Sequence, residues 1–298
     1  MEDIANRNCT TTLRGIAILI IMIGHVGVSG FDCRLFNPFG GIGVAMFLFL
    51  SGYGLTESYK KNGLKHFWKK KMMRIATPYL IWIPIYHIAM RLSPLGSTYH
   101  LEIIPRYWFL EYLLIAYALF YFIFKYCSKH TIIIMGIIGV ISFISLNNLR
   151  AEQSFSFLAG VLFSQKKLLF EKMGKKQLIT FAFLFFVAGI TALLIKQLPQ
   201  VRIYDLESIQ FKSLNLLIKL PLGISMLYML FAIFPNGIRW IIPFGNISYE
   251  LYLTHVSFFM SIAGRTLYLI VFIVQTVLLA YIIHYLNKFI LNKNTLYG

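Results

Sequence analysis

Two residues in the first apolar stretch indicate the chemistry to look for. Leu13–Gly30, LRGIAILIIMIGHVGVSG, is long enough to cross a bilayer, yet it carries Arg14 at one end and His25 in its second half. Ionisable side chains inside lipid are costly, so their default reading is functional. The eleven residues from Arg14 to His25, at about 100° each, bring both side chains within about 20° of one helix face, about 16 Å apart along the axis. A guanidinium at the membrane surface then shares a stripe with an imidazole deep in the bilayer. Desolvation favours the neutral imidazole, a form able to act as a general base or a nucleophile. The bland alternative is a snorkelling Arg14 and a His25 that caps a neighbour's hydroxyl.

Other groups could join this chemistry. Lys60–Arg74, KKNGLKHFWKKKMMR, packs cations more densely than topology alone requires. Its Phe67 and Trp68 suit an interfacial helix, and its cations suit an anionic cofactor. The stretch RYWFLEYLLIAY places Arg106, Tyr107 and Trp108 as outer-interface anchors, with Glu111 about a turn deeper. A carboxylate there needs a partner or a job, and an ion pair with Arg106 or Arg91 competes with a functional role. FGNISYELYLTHVSFF carries Glu250 near its start and His255 near mid-membrane, about 140° apart on a helix and so on different faces. Lys219 falls inside an apolar segment, and His284 near the end of the last one, where a histidine suits a helix C-terminus.

The elements that must position these groups are membrane helices. The chain is 58% hydrophobic and 13% charged, with a mean hydropathy of +0.70, which excludes an ordinary soluble domain. Ten apolar segments of spanning or near-spanning length are expected, about 13–30, 41–57, 75–92, 106–124, 131–146, 153–164, 178–195, 214–234, 245–262 and 267–286. The expected fold is all-α, a polytopic membrane helix bundle of about ten transmembrane helices. It is read as one integral-membrane domain over residues 1–298 with no appended soluble domain and no removed signal peptide. With the N-terminus inside, 19 of the 28 Lys and Arg residues fall on cytoplasmic segments and eight outside, which predicts both termini in the cytoplasm. The net charge of +17 is thus assigned to topology and anionic lipid rather than nucleic acid. Cys9, Cys33 and Cys127 show no metal or disulfide spacing, and no metal site is expected. No internal repeat is visible, which weighs against an inverted-repeat transporter.

Five stretches, taken together, resemble the membrane-bound acyltransferase family 3, whose members O-acylate extracellular polysaccharides and related glycans. They are LRGIAILIIMIGH from Leu13 to His25, GIGVAMFLFLSGYGL from Gly41, FWKKKMMRIATPYL from Phe67, the Trp108–Phe109–Leu110 start of the fourth segment, and GNISYELYLTH ending at His255. The order and spacing match those of the family. Two departures stand out. Lys71 occupies the position of the family's first Arg in the third motif, which keeps the charge and loses the bidentate fork. Glu111 follows Trp108 by three residues, unlike the later paired carboxylates of some relatives.

The resemblance implies an O-acyltransferase, with acetyl-CoA or another acyl-CoA as co-substrate and a cell-surface or lipid-linked glycan as acceptor. Its expected location is the bacterial cytoplasmic membrane, in contact with lipid. By it, His25 is the catalytic candidate, Arg14, Lys71 and Arg74 the cofactor-binding candidates, and Trp108, Glu111 and His255 the acceptor-side candidates. Direct transfer and an acyl-histidine both remain open. The rival from another class is a glycan or lipid-linked-sugar transporter or flippase in which His25, Glu111 and His255 relay protons.

Overall fold

The computed structural model describes residues 6–31, 36–96, 102–105 and 107–296, with side chains to residue 291. Among these there is no strand. Each expected segment falls on helix: α1 (Arg7–Val28), α2 (Asn37–Asn62), α3 (Phe67–Lys71), α4 (Thr77–Leu92), α5 (Trp108–Tyr126), α6 (Thr131–Ser145), α7 (Ser156–Gln165), α8 (Lys175–Gln197), α9 (Ile209–Ile233), α10 (Ile242–Asn246), α11 (Ser248–Val256) and α12 (Thr266–Leu296). Arg106 and Cys33 lie outside the described residues.

By length and composition, 7 helices among the described residues can cross a membrane: α1, α2, α5, α6 with the turn before it, α8, α9 and α12. The shortfall from the expected ten falls on three segments. The third is α4, only 16 residues, preceded by a π-helical turn at Met72–Ala76 and carrying Pro84 inside it. The sixth is the ten-residue α7. The ninth is divided into α10, α11 and a 3-10 turn at Phe259–Ile262. Short or broken helices are tolerated at membrane depth where neighbouring protein satisfies their ends.

The α1–α2 pair is at the centre of the bundle, with α9 packed against α2. Of the α1, α2 and α9 spanning windows, 61%, 67% and 61% are buried inside the protein, against 17% for the α6 segment and 22% for α8 and α12. Small residues allow this closeness. A Cβ on Gly24 of α1 would lie 2.4 Å from the backbone nitrogen of Gly40 on α2, so the two backbones touch. In the second motif, a Cβ on Gly43 would lie 2.6 Å from the Ala17 carbonyl oxygen and one on Gly52 2.2 Å from that of Phe157, so these two glycines are packing devices. α1 starts under an Asn6 cap, whose side chain accepts from the Cys9 backbone nitrogen at 2.8 Å, satisfying an otherwise orphaned donor.

Contacts define two ends. At one, Asn6 bonds Asn236 at 3.1 Å and the Thr12 hydroxyl accepts from the Ile238 nitrogen at 2.9 Å. At the other, the Gly264 nitrogen donates to Ser29 at 2.9 Å and Arg150 pairs with Glu111 at 2.8 Å. Arg14 lies towards the first end and His25 towards the second. α10 docks on α1 with Gly245 against Thr11, and that contact carries α11 up alongside the second half of α1.

Candidate active site

The docking of α11 on α1 puts His255 on His25. His25 Nδ1 and His255 Nε2 are 3.0 Å apart, with ring centroids at 5.1 Å. His255 is fully buried, and its Nδ1 lies 2.8 Å from the Leu251 carbonyl oxygen. A carbonyl only accepts, so the proton of neutral His255 sits on Nδ1. Its Nε2 then carries the lone pair and accepts from His25 Nδ1–H. The remaining nitrogen, His25 Nε2, is left unprotonated, and it has no protein partner among the described residues. Phe259 stacks on His25 with centroids at 4.5 Å and limits ring rotation. The chain from Leu251 through two imidazoles thereby selects one tautomer and presents a basic nitrogen.

That nitrogen belongs to a residue lining a cavity of about 970 Å³. Tyr107, Trp108, Tyr252 and Val256 share the lining on the α5–α11 side. Tyr107 is held by two bonds, accepting from Trp82 Nε1 at 2.6 Å and pairing with the Ser257 hydroxyl at 3.0 Å. The opposite elements supply polar groups: Glu152, Lys196, Asn215 and Lys219. Lys219 lies 3.9 Å from Glu152, both side chains being buried. Lys196 donates to Asn215 at 2.6 Å and sits 4.4 Å from the Phe211 ring centre.

A second charged site lies towards the other end of α1. Lys71 Nζ is 4.8 Å from the ring centre of Tyr117 on α5, and Tyr117 also feels the charges of Arg14 and Arg74. The Tyr117 hydroxyl points at Ser51 of the second motif, at 3.5 Å. Arg14 and Arg74 are exposed and Lys71 half-buried. Burial, and then the neighbouring Arg74, Arg14 and Lys70, push the Lys71 ammonium down to about 8. These three cations have no carboxylate within salt-bridge distance among the described residues, which leaves a positive patch without a protein counter-charge. Between this site and His25, Ile18 and Leu48 are fully buried and belong with Val44 to one apolar cluster. Phe67 joins that cluster, while Trp68 stays exposed.

The structure brings Arg14, Lys71 and Arg74 together at one site, and His25, His255 and Trp108 at the other. Glu111 belongs to neither. It is exposed and paired with Arg150, so neither Arg106 nor Arg91 is needed to explain it, and it does not complete a relay with the two histidines. His255 touches His25 directly, which makes it a positioning group for that ring. His284, read as a residue without chemistry, pairs with buried Glu250 at 3.1 Å. Tyr117, Glu152, Lys196 and Asn215 were given no role on sequence grounds. Lys219 was visible as a charge inside an apolar segment, the one signal that could have flagged this wall. Among the described residues no group of three His, Cys, Asp or Glu gathers to hold a metal.

A helical bundle with spanning helices and a buried histidine pair beside a cavity defines a class: multi-pass membrane proteins that hold ionisable groups among their helices. The family model Acyl_transf_3, an acyltransferase domain, matches residues 10–292. The chain therefore belongs to acyltransferase family 3 and is a membrane acyltransferase. Comparison with curated proteins and with solved structures returns no match.

Proposed function

We propose that the protein is an acyl-CoA-dependent O-acyltransferase. In this reading it moves an acetyl group from cytoplasmic acetyl-CoA to a hydroxyl of a cell-surface or lipid-linked glycan, in a bacterial cytoplasmic membrane with both termini inside. The observation that supports it most is the cavity-lining His25, whose Nδ1 proton is engaged by His255 so that Nε2 is the base. The acceptor hydroxyl gives its proton to Nε2 as its oxygen attacks the thioester carbonyl. The carbon–sulfur bond then breaks and the proton passes to the departing thiolate. Alternatively Nε2 attacks the thioester carbonyl, the carbon–sulfur bond breaks and the thiolate departs; the acceptor hydroxyl then attacks the acyl-imidazole, the carbon–nitrogen bond breaks, and the hydroxyl proton goes to the freed Nε2 and on to the thiolate.

The donor's phosphates fit the other site. Arg14, Lys71 and Arg74 meet them as point charges and forks. The separation of about 16 Å along α1 matches the order of reach of the pantetheine arm. With Ile18 and Leu48 fully buried, the arm reaches His25 only when that apolar layer parts. Trp108 and Tyr252, in the cavity lining, flank the acceptor.

The test is purified protein in lipid nanodiscs with labelled acetyl-CoA, alongside mass spectrometry of surface glycans from cells with and without the gene. Acetyl-CoA turnover together with one missing acetyl mass on a glycan is the expected result. Glycan export that depends on the protein without acyl-CoA consumption would replace this reading with the transporter.

A further inference from the structure

We infer that the α8–α9 wall of the His25 cavity is an anchoring site for one negative charge on the acceptor, a carboxylate or phosphate borne by a saccharide, with Lys196 as its direct contact. The inference rests on the reading of this cavity as the acceptor pocket.

The charges lining this cavity do not balance. The charged side chains lining the cavity are Glu152, Lys196 and Lys219, two cations to one carboxylate. Lys219 is the one within salt-bridge distance of Glu152, at 3.9 Å. Lys196 is held instead by neutral groups, the Asn215 amide and the Phe211 face. No carboxylate lies within salt-bridge distance of it among the described residues. The charges around the rim do not correct the imbalance. Lys212 is matched by Glu207 at 3.1 Å and Arg150 by Glu111 at 2.8 Å. Arg202 donates to Gln197, a lining residue, while Asp205, next to the lining residue Leu206, sets one carboxylate against it, so the rim is close to balanced and leaves Lys196 unmatched.

Lys196 stands part-buried in the last turn of α8, where the helix C-terminus favours a cation, but no opposite full charge meets it, and an anion entering the cavity would supply one. The Asn215 contact aims Lys196 without neutralising it. Glu152, meanwhile, meets Lys219 only at 3.9 Å and the Gln153 amide at 3.5 Å, which leaves acceptor capacity for a ligand hydroxyl. Aromatic lining from Phe211 and Trp108, with a few convergent polar groups, is the composition expected of a small-ligand pocket. A hydroxylated ring carrying one anion satisfies each of these groups.

The experiment measures binding without acyl donor, so that it does not depend on transfer. Full-length protein in nanodiscs is titrated with methyl glucoside, methyl glucuronide and glucose 1-phosphate, followed by tryptophan fluorescence and calorimetry. At least one acidic probe should bind about tenfold or more tightly than the neutral one, and the better of the two identifies carboxylate or phosphate. Lys196→Met should abolish the preference while leaving neutral-sugar binding, and Lys196→Arg should retain it. Glu152→Gln, which removes the competing carboxylate, should increase it and decides the matter if Lys196→Met does not fold. Equal binding of acidic and neutral probes, no binding of either acidic probe, or a preference that survives Lys196→Met overturns the inference. A Glu152→Gln variant with no increase does the same. Charge-selective binding with no acetyl transfer to any probe leaves this site standing and counts against the acyltransferase assignment of the cavity.

Discussion

Arg14 and His25 are carried by the same helix, yet the surroundings they meet differ in the property that governs charge. Around Arg14 three exposed or half-buried cations gather about the buried Tyr117, with no carboxylate within salt-bridge distance among the described residues. Around His25 the partner ring is fully buried, its protons are assigned by a backbone carbonyl, and no charge is needed for the array to hold together. The first environment can hold a polyanion loosely and exchange it. The second can hold one nitrogen in one tautomer. The difference teaches that a single helix can separate affinity from chemistry by placing them about three turns apart.

Removing the nitrogen breaks the comparison most severely. His25→Gln keeps much of the size and polarity but offers no base, so transfer should fall by about two orders of magnitude or more with expression and acyl-CoA binding retained. Rates measured per molecule of purified protein check this, and loss only in proportion to lost protein would make His25 a packing residue. His284→Gln is a poor control for this test, because His284 is paired with buried Glu250; His130, exposed in the turn before α6, serves instead.

Disturbing the tautomer comes next. His255→Phe removes the acceptor for His25 Nδ1–H and frees the ring to place its proton on either nitrogen. Activity should drop about 10- to 100-fold, the range seen when a partner that orients a histidine is removed, while KM for acyl-CoA stays near normal. An equal loss in binding of the donor would show that His255 holds the fold and not the tautomer.

At the other end the effects should be smaller and confined to affinity. Arg14→Ala and Arg74→Ala each remove an exposed cation, worth up to about 1 kcal/mol and so about fivefold in donor binding. The loss should be larger for CoA than for a pantetheine lacking the nucleotide. Lys71 adds a pH signature. It is charged below about 8 and neutral above, so its contribution is present at neutral pH and is lost as pH rises through that value. KM for acyl-CoA should therefore climb between about pH 7 and pH 9, and Lys71→Arg, which stays charged, should flatten the rise. A rise that persists in Lys71→Arg assigns the titration to another group.

The orientation that puts the Arg14 site in the cytoplasm carries no activity change of its own and is read by labelling. Cys127 is exposed and lies between α5 and α6, on the expected inner face. A membrane-impermeant thiol reagent should reach it only after permeabilisation. Labelling in intact cells would invert the topology. Cys9 is buried and cannot report.

Much of this arrangement was legible in the sequence because it is local. Arg14 and His25 are on one helix, the five motifs are contiguous, and the basic run Lys60–Arg74 needs no tertiary information. The 140° separation of Glu250 and His255 was readable too, and its consequence is that Glu250 meets α12 while His255 meets α1. What was not legible depends on which helices become neighbours. Glu111 has a partner 39 positions away, and Glu152 and Lys219 meet across 67. Nothing in WFLEYLLIAYALFY distinguishes Tyr117 as the residue that the cations gather around. Hydropathy likewise finds apolar segments but not their breaks, so α4, the short α7 segment and the α10–α11 pair entered the expected ten as spanning or near-spanning segments without their interruptions.

The apolar layer of Ile18, Val44 and Leu48 has a consequence for the cell as well as for the reaction. The charged site at one end and the polar cavity at the other would together form a hydrated pore if they met. Conduction through such a pore would discharge the membrane potential. Fully buried branched side chains from α1 and α2 keep water columns from joining. In this conformation buried apolar side chains separate the two regions along α1 and α2, so an acyl group travelling between them would have to displace that layer and take its place.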